Sequence, residues 1–201
     1  MTIDEYNREI IKLDSEEKQR LFVQKYLLHG TPVVFNNNAG KYFDFRNKIA
    51  QNFEIGFHEV FIVGSAKLGF SPHRNTMFSL NSDVDVVLVN EHLFETYYRK
   101  ICEYQYQLDN PANRVTESEK KMYNEFLQYL VKGWMRPDKL PTSFHVDILK
   151  NNWFKFFDSI SNGKSEVGNY KVNAGLFKNY EYTEKYYTKS VENYYKKTLI
   201  K

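Results

Sequence analysis

The stretch Val60-Phe61-Ile62-Val63-Gly64-Ser65-Ala66-Lys67-Leu68-Gly69, carried on through a polar segment to Ser82-Asp83-Val84-Asp85-Val86-Val87-Leu88-Val89, decides how this chain is read. Residues 60–63 are apolar and β-branched or aromatic, and the run stops at a glycine, so the pattern predicts a strand ending in a tight turn. Gly64 lets the backbone turn sharply and approach a ligand closely. The amides that follow and the Ser65 hydroxyl can donate hydrogen bonds to a phosphate, with Lys67 as a nearby positive charge and Gly69 as a second point of close approach. Residues 71–81 contain Pro72, His73, Arg74, Asn75 and Asn81 and read as a polar loop. Residues 84–89 predict a second strand, and the unbroken run from Val86 to Val89 implies burial on both faces, as in a central strand. Residues i and i+2 of a strand share a face. Asp83 and Asp85 therefore stand side by side at the mouth of an apolar strand. Two adjacent like charges are costly unless a cation joins them, and hard oxygen ligands of this kind suit magnesium held together with phosphates. The plain alternative is a solvated, Asp-rich turn that leads into the strand.

Working outward, the N-terminal side predicts a helix over about 2–13, a second that starts behind Ser15 and ends at Gly30, and a third over 40–53. On the C-terminal side a helical pattern runs from Glu91 to about Gln107. Thr116-Glu117-Ser118-Glu119 resembles a capping box that opens a helix reaching Val131. Residues 144–149, Phe-His-Val-Asp-Ile-Leu, alternate and predict a third strand. That alternation puts Phe144, Val146 and Ile148 on one face and His145 and Asp147 on the other. Asp147 could then complete a three-carboxylate site of the type that lets two metals clamp the attacking and leaving oxygens of a phosphoryl transfer. Residues 153–157 read as an aromatic packing segment and 180–199 as a final helix.

Composition narrows the classes. The net charge of +3 suits a phosphate-bearing ligand but is too weak for a dedicated DNA-binding protein. A single cysteine, Cys102, excludes an internal disulfide and a Cys-cluster zinc site. The five histidines show no metal-ligand spacing, and there is no Walker-type Gly-Lys-Ser/Thr loop. Residues 1–20 are polar and charged, and the longest apolar run is far too short to span a membrane. A cytoplasmic protein that engages no membrane is expected.

The order Gly64-Ser65, then Ser82-Asp83-Val84-Asp85, then a later acid resembles the DNA polymerase beta type nucleotidyltransferase superfamily. The wider string from Val63 to Ser71, followed by Ser-Asp-x-Asp, resembles bacterial relatives of the cGAS/DncV-like nucleotidyltransferases of antiphage defence. The resemblance implies an α/β (α+β) fold: a small mixed sheet that carries the carboxylates, flanked by helices, in one domain with a core over about 40–150 and a helical part over about 151–201. It implies transfer of a nucleoside monophosphate from a nucleoside triphosphate to a hydroxyl, with release of pyrophosphate. Asp83, Asp85 and Asp147 would then be catalytic and would hold Mg2+ or Mn2+. Gly64, Ser65, Lys67 and Ser82 would hold the nucleotide. The acceptor stays open among a nucleotide, an RNA end and a protein side chain. So does a rival reading, in which the same fold holds a nucleotide or a partner without turnover.

Overall fold

The computed structural model describes residues 1–199. In chain order the elements are α1 (Ile3–Ile10), α2 (Glu16–Phe22), α3 (Ala39–Phe53), β1 (Val60–Val63), α4 (Gly64–Leu68), β2 (Phe70–Ser71), β3 (Thr76–Met77), β4 (Val84–Val89), α5 (Glu91–Asp109), α6 (Glu117–Leu130), β5 (Trp134–Met135), α7 (Val146–Ser159), β6 (Val172–Phe177) and α8 (Tyr180–Leu199). The class is α+β: a four-stranded mixed sheet in the order β1-β4-β6-β5, with β2 and β3 forming a separate two-stranded hairpin. Local chemistry sets many of the helix starts. The Thr2, Ser15 and Thr116 hydroxyls and the Asn38 and Asn90 carbonyls each accept a backbone N–H in the first turn that follows.

Strand β4 is the axis of the fold. Every residue in it is buried except Asp85. Val84, Val86 and Leu88 face a core built with α3, α5, α6 and α7, around Phe45, Ile49, Tyr97, Phe126 and Trp153. Val87 and Val89 face a second core built with α1, α2 and α8, around Tyr6, Ile10, Phe22 and Val191. The continuous apolar run is therefore explained by helices on both faces of the sheet. Strand β1 pairs antiparallel with β4, Val63 opposite Asp85. Strand β6 pairs parallel with β4, Asp85 beside Asn173.

Two readings from sequence need correction. Residues 144–149 are no strand: Phe144 and His145 adopt left-handed backbone conformations with φ of 51° and 66°, and α7 begins at Val146. The six-residue alternation was too short to outweigh the stripe that continues it. Val146, Leu149, Trp153 and Phe157 recur at helical spacing, and Val146, Trp153 and Phe157 are buried. The strand beside β4 comes instead from residues 172–177, inside the segment expected to be helical, so the sheet does not end near residue 150. Strand β5 is only two residues long. Its pairing with β6 stops at Met135, just before Arg136 and Pro137, and proline has no N–H to extend a ladder.

The helical stripe makes a paired prediction. The Trp153 ring lies 5.0 Å from Phe53 and 5.1 Å from Phe157. Its neighbour Phe154 is exposed. Trp153→Ala should lower unfolding free energy by about 3–5 kcal/mol in denaturant titration. Phe154→Ala should cost roughly 1 kcal/mol or less. Equal losses would contradict the α7 packing.

Candidate functional site

Antiparallel pairing brings the end of β1 against the start of β4, and this joins the two halves of the motif. Gly64 has φ of 66°, and a Cβ built on it would lie 3.1 Å from the Asp85 carboxylate. The turn is thus tight, left-handed and pressed directly against an acid, a combination only glycine tolerates without strain. The five-residue helix α4 follows at once and ends at Gly69, whose φ of 86° reverses the chain into β2. Asp83 lies just ahead of β4 on the same face as Asp85. The Asn173 side-chain amide on β6 donates to Asp83 Oδ2 at 2.8 Å. Three side chains from two neighbouring strands, Asp83, Asp85 and Asn173, therefore share one corner of the sheet.

This corner opens into a cleft of roughly 700 Å3. That size suits a small-molecule ligand. Asp85, Asn173, Gly175 and Gly64 line one part of it, with Tyr187 and Ser190 from α8, and Trp134 and Arg136 beside β5. The cleft exists because β5 ends early and leaves the start of β6 without a strand on its outer side. It continues round that edge to Phe154, Phe157 and Asp158 of α7. Gly175 is needed here as well, since a Cβ on it would come within 2.5 Å of the Trp134 indole nitrogen.

The electrostatics of the corner are those of crowded negative charge. Asp85 reaches solvent through the cleft but is walled by protein. Its pKa is pushed up to about 6 by that burial first and by the neighbouring Asp83 second, against a pull down from Arg74 in the β2–β3 hairpin. Burial, Tyr186 and Asp85 together hold the Tyr187 phenol well above its ordinary pKa. Positive charge is nevertheless close at hand: Arg74 acts on Asp85, and Lys171 and Arg136 line the cleft. Arg136 is partly committed, since its guanidinium pairs with Asp138 at 2.8 Å and lies over the Trp134 ring.

Nothing among the family models, curated proteins and solved structures compared with this chain matches it. The functional reading therefore stands on the geometry of the chain itself.

The residues singled out from sequence separate into two groups. Asp83, Asp85 and Gly64 come together, with Ser65 next to the turn. Asp147, Lys67 and Ser82 do not join them as expected. Asp147 lies in the first turn of α7, where a carboxylate is favourably placed against the helix dipole. The part of α7 that lines the cleft starts at Trp153, so Asp147 is roughly 9 Å away along the helix at 1.5 Å per residue. Among the described residues no three His, Cys, Asp or Glu side chains group so as to hold a metal, and the three-carboxylate cluster does not assemble. Lys67 is buried, and its ammonium donates to the carbonyls of His29 and, at 2.7 Å, Gly30. Burial depresses its pKa to about 8. It closes the end of the π-helical turn Val23–Leu28, and it is not among the residues lining the cleft. The Ser82 hydroxyl accepts the Ser79 N–H at 3.1 Å and shapes the turn ahead of Asp83.

Asn173, Lys171, Arg136, Trp134 and Tyr187 escaped the sequence reading. One signal was available for Asn173: the largely apolar run of residues 172–177, which ends just before Asn179 caps the next helix. Trp134 and Arg136 carried no local signal, because β5 is too short to show a period.

Lys67→Met should show which reading of that lysine holds. It removes a donor from two carbonyls and should cost about 1–3 kcal/mol, a fall in Tm of roughly 3–10 °C. If the cleft takes a triphosphate, its affinity measured by calorimetry should stay within about twofold of the parent. A large affinity loss at unchanged Tm would return Lys67 to the ligand site.

Proposed function

We propose that the cleft binds a nucleoside triphosphate together with Mg2+ or Mn2+ and that the chain is a nucleotidyltransferase. The reading is carried by one observation: the Asp83–Asp85 pair and the Gly64–Ser65 turn, distant in sequence, meet at the mouth of a cleft of suitable size. A paired-carboxylate donor set fits a magnesium ion that completes its coordination with phosphate oxygens. The raised pKa of Asp85 supports that fit, since it reflects crowded, poorly solvated negative charge that a bound cation would relieve.

In this reading Asp83 and Asp85 hold the cation. The backbone after Gly64 and the Ser65 hydroxyl hold phosphate oxygens, with Arg74 and Lys171 contributing positive charge around them. The reaction forms a bond from an acceptor hydroxyl to the α-phosphorus and breaks the bond from that phosphorus to the bridging oxygen, releasing pyrophosphate and a proton. When bound, the cation supplies charge neutralisation on the triphosphate. The protein contributes mainly positioning and electrostatic stabilisation. The acceptor is a nucleotide, an RNA end or a protein side chain, and a place in antiphage defence accords with the motif's resemblance.

A second reading, a module that holds nucleotide without turnover, is favoured by a specific observation. The strand position beside Asp85 carries Asn173, not an acid, so the acceptor side of the corner lacks the carboxylate that two-metal transfer uses.

Two measurements separate these readings. Calorimetry with ATP or GTP should show binding that weakens at least tenfold when Mg2+ is chelated or when Asp83→Asn and Asp85→Asn are combined. Equal affinity in all cases would reject the metal-bound site, and no binding at all would reject both readings. Incubation with labelled nucleoside triphosphates, Mg2+ or Mn2+ and candidate acceptors should yield a labelled product. Tight binding with no product from any acceptor would select the holding module.

Gly64→Ala tests the turn. The side chain must adopt φ of 66° and meets Asp85 at 3.1 Å, so stability should fall by about 1–2 kcal/mol. Nucleotide affinity should fall roughly tenfold or more in protein that is still folded at the assay temperature. Unchanged affinity would make the turn purely structural.

A further inference from the structure

The residue next to the carboxylate pair is the most informative one that the proposed reading leaves unused. Parallel pairing sets Asn173 of β6 beside Asp85 of β4. Residues of β4 and β6 with odd numbers face α8, as Val87, Val89 and Phe177 show by joining the same core. Asn173 thus points to the side of the sheet from which Asp85 meets the cleft. Its amide nitrogen donates to Asp83 Oδ2 at 2.8 Å and so turns the positive end of its dipole towards Asp83.

We infer that Asn173 makes this a one-metal cleft: its neutral, donor-bearing amide occupies the place beside Asp83 and Asp85 where a third carboxylate would have to stand for a second cation to bind. This inference rests on the metal–triphosphate reading of the site and specifies its stoichiometry. Three physical points support it. A divalent cation needs anionic or strongly electron-donating oxygen at short range, and no further His, Cys, Asp or Glu groups with this pair among the described residues. The Asn173 N–H groups repel a cation on the side they face. The hydrogen bond also fixes the Asp83 carboxylate, so that its other oxygen, with Asp85, is placed to hold a single ion. Asn173 is therefore a positioning residue for Asp83 and a selector of metal number.

The same geometry says how the limit can be lifted. Asn173→Asp has almost the same shape, keeps the backbone pairing with β4 and replaces the amide with a third acid at the corner. Without metal that variant gathers three negative charges and should be less stable than the parent. Metal should restore the difference.

The experiment is Mn2+ electron paramagnetic resonance on the full chain with a non-hydrolysable ATP analogue. The parent should bind one Mn2+ per nucleotide-bound chain, with the spectrum of an isolated ion. Asn173→Asp should bind two and show the spin coupling of ions roughly 4 Å apart. Asn173→Ala, which should fold whether or not the acid variant does, should keep one Mn2+ and bind it several-fold more weakly, because Asp83 loses its anchor. Two coupled ions in the parent would overturn the inference, as would a single ion in a folded, nucleotide-bound Asn173→Asp. Unchanged Mn2+ affinity in Asn173→Ala would remove the positioning role. Absence of any metal-dependent nucleotide binding by the parent would overturn the underlying reading together with this one, and calorimetry identifies that case separately.

Discussion

The site depends on one pairing, Val63 of β1 with Asp85 of β4. An antiparallel ladder sets the end of one strand against the beginning of the other. A turn that follows β1 and an acid pair that opens β4 are thereby forced into contact, whatever the length of the loop between them. That loop carries its own small hairpin, which brings Arg74 within electrostatic reach of Asp85. The pairing holds because β4 is buried on both faces, so a slip of one residue would move every valine to the wrong core and turn Asp85 inward.

The third side of the corner is set by a different rule. Strands β4 and β6 run parallel, and a parallel neighbour needs a long crossover. Here the crossover contains α5, α6, β5 and α7, which together build a large part of one core. The crossover supports β6 at a defined height, so that Asn173 lies beside Asp85, and it contributes Trp134 and Arg136 to the cleft wall. The make-up of the corner therefore hangs on what stands at one position of a strand reached only after this excursion.

This division explains what could be read from sequence. The β1 turn, the Asp83–Asp85 pair and the central character of β4 were legible because each is encoded locally: an apolar run, a glycine, a same-face spacing. The helices behind Ser15 and Thr116 were legible through their caps, whereas the caps at Thr2, Asn38 and Asn90 were not read and those helices were legible as segments alone. Asp147 was misplaced because six alternating residues imitate a strand, while the stripe through Trp153 and Phe157 that makes them a helix lies further on. Lys67 was misassigned because nearness in sequence to a phosphate-type turn says nothing of where a long side chain goes. It goes to the carbonyls at the end of another helix, a contact between segments far apart in the chain. Asn173 was missed because its meaning is entirely relational: an asparagine in an apolar run has no significance until the strand beside it is known to carry Asp85.

The early end of β5 has a cost that the fold contains. A strand edge left without a neighbour exposes backbone donors and acceptors that template aggregation. On β6 the even-numbered residues present their N–H and C=O to the outer side, as the Val172 N–H shows by bonding to Ser161 Oγ at 2.9 Å and Leu176 by pairing with Met135. Only Ala174 remains between them. One residue of open edge is too short a ledge for a second strand to climb on, and it is recessed between α7 and α8 on the wall of the cleft. The cleft wall at Ala174 therefore offers too little open backbone to take up a strand from another copy of the chain.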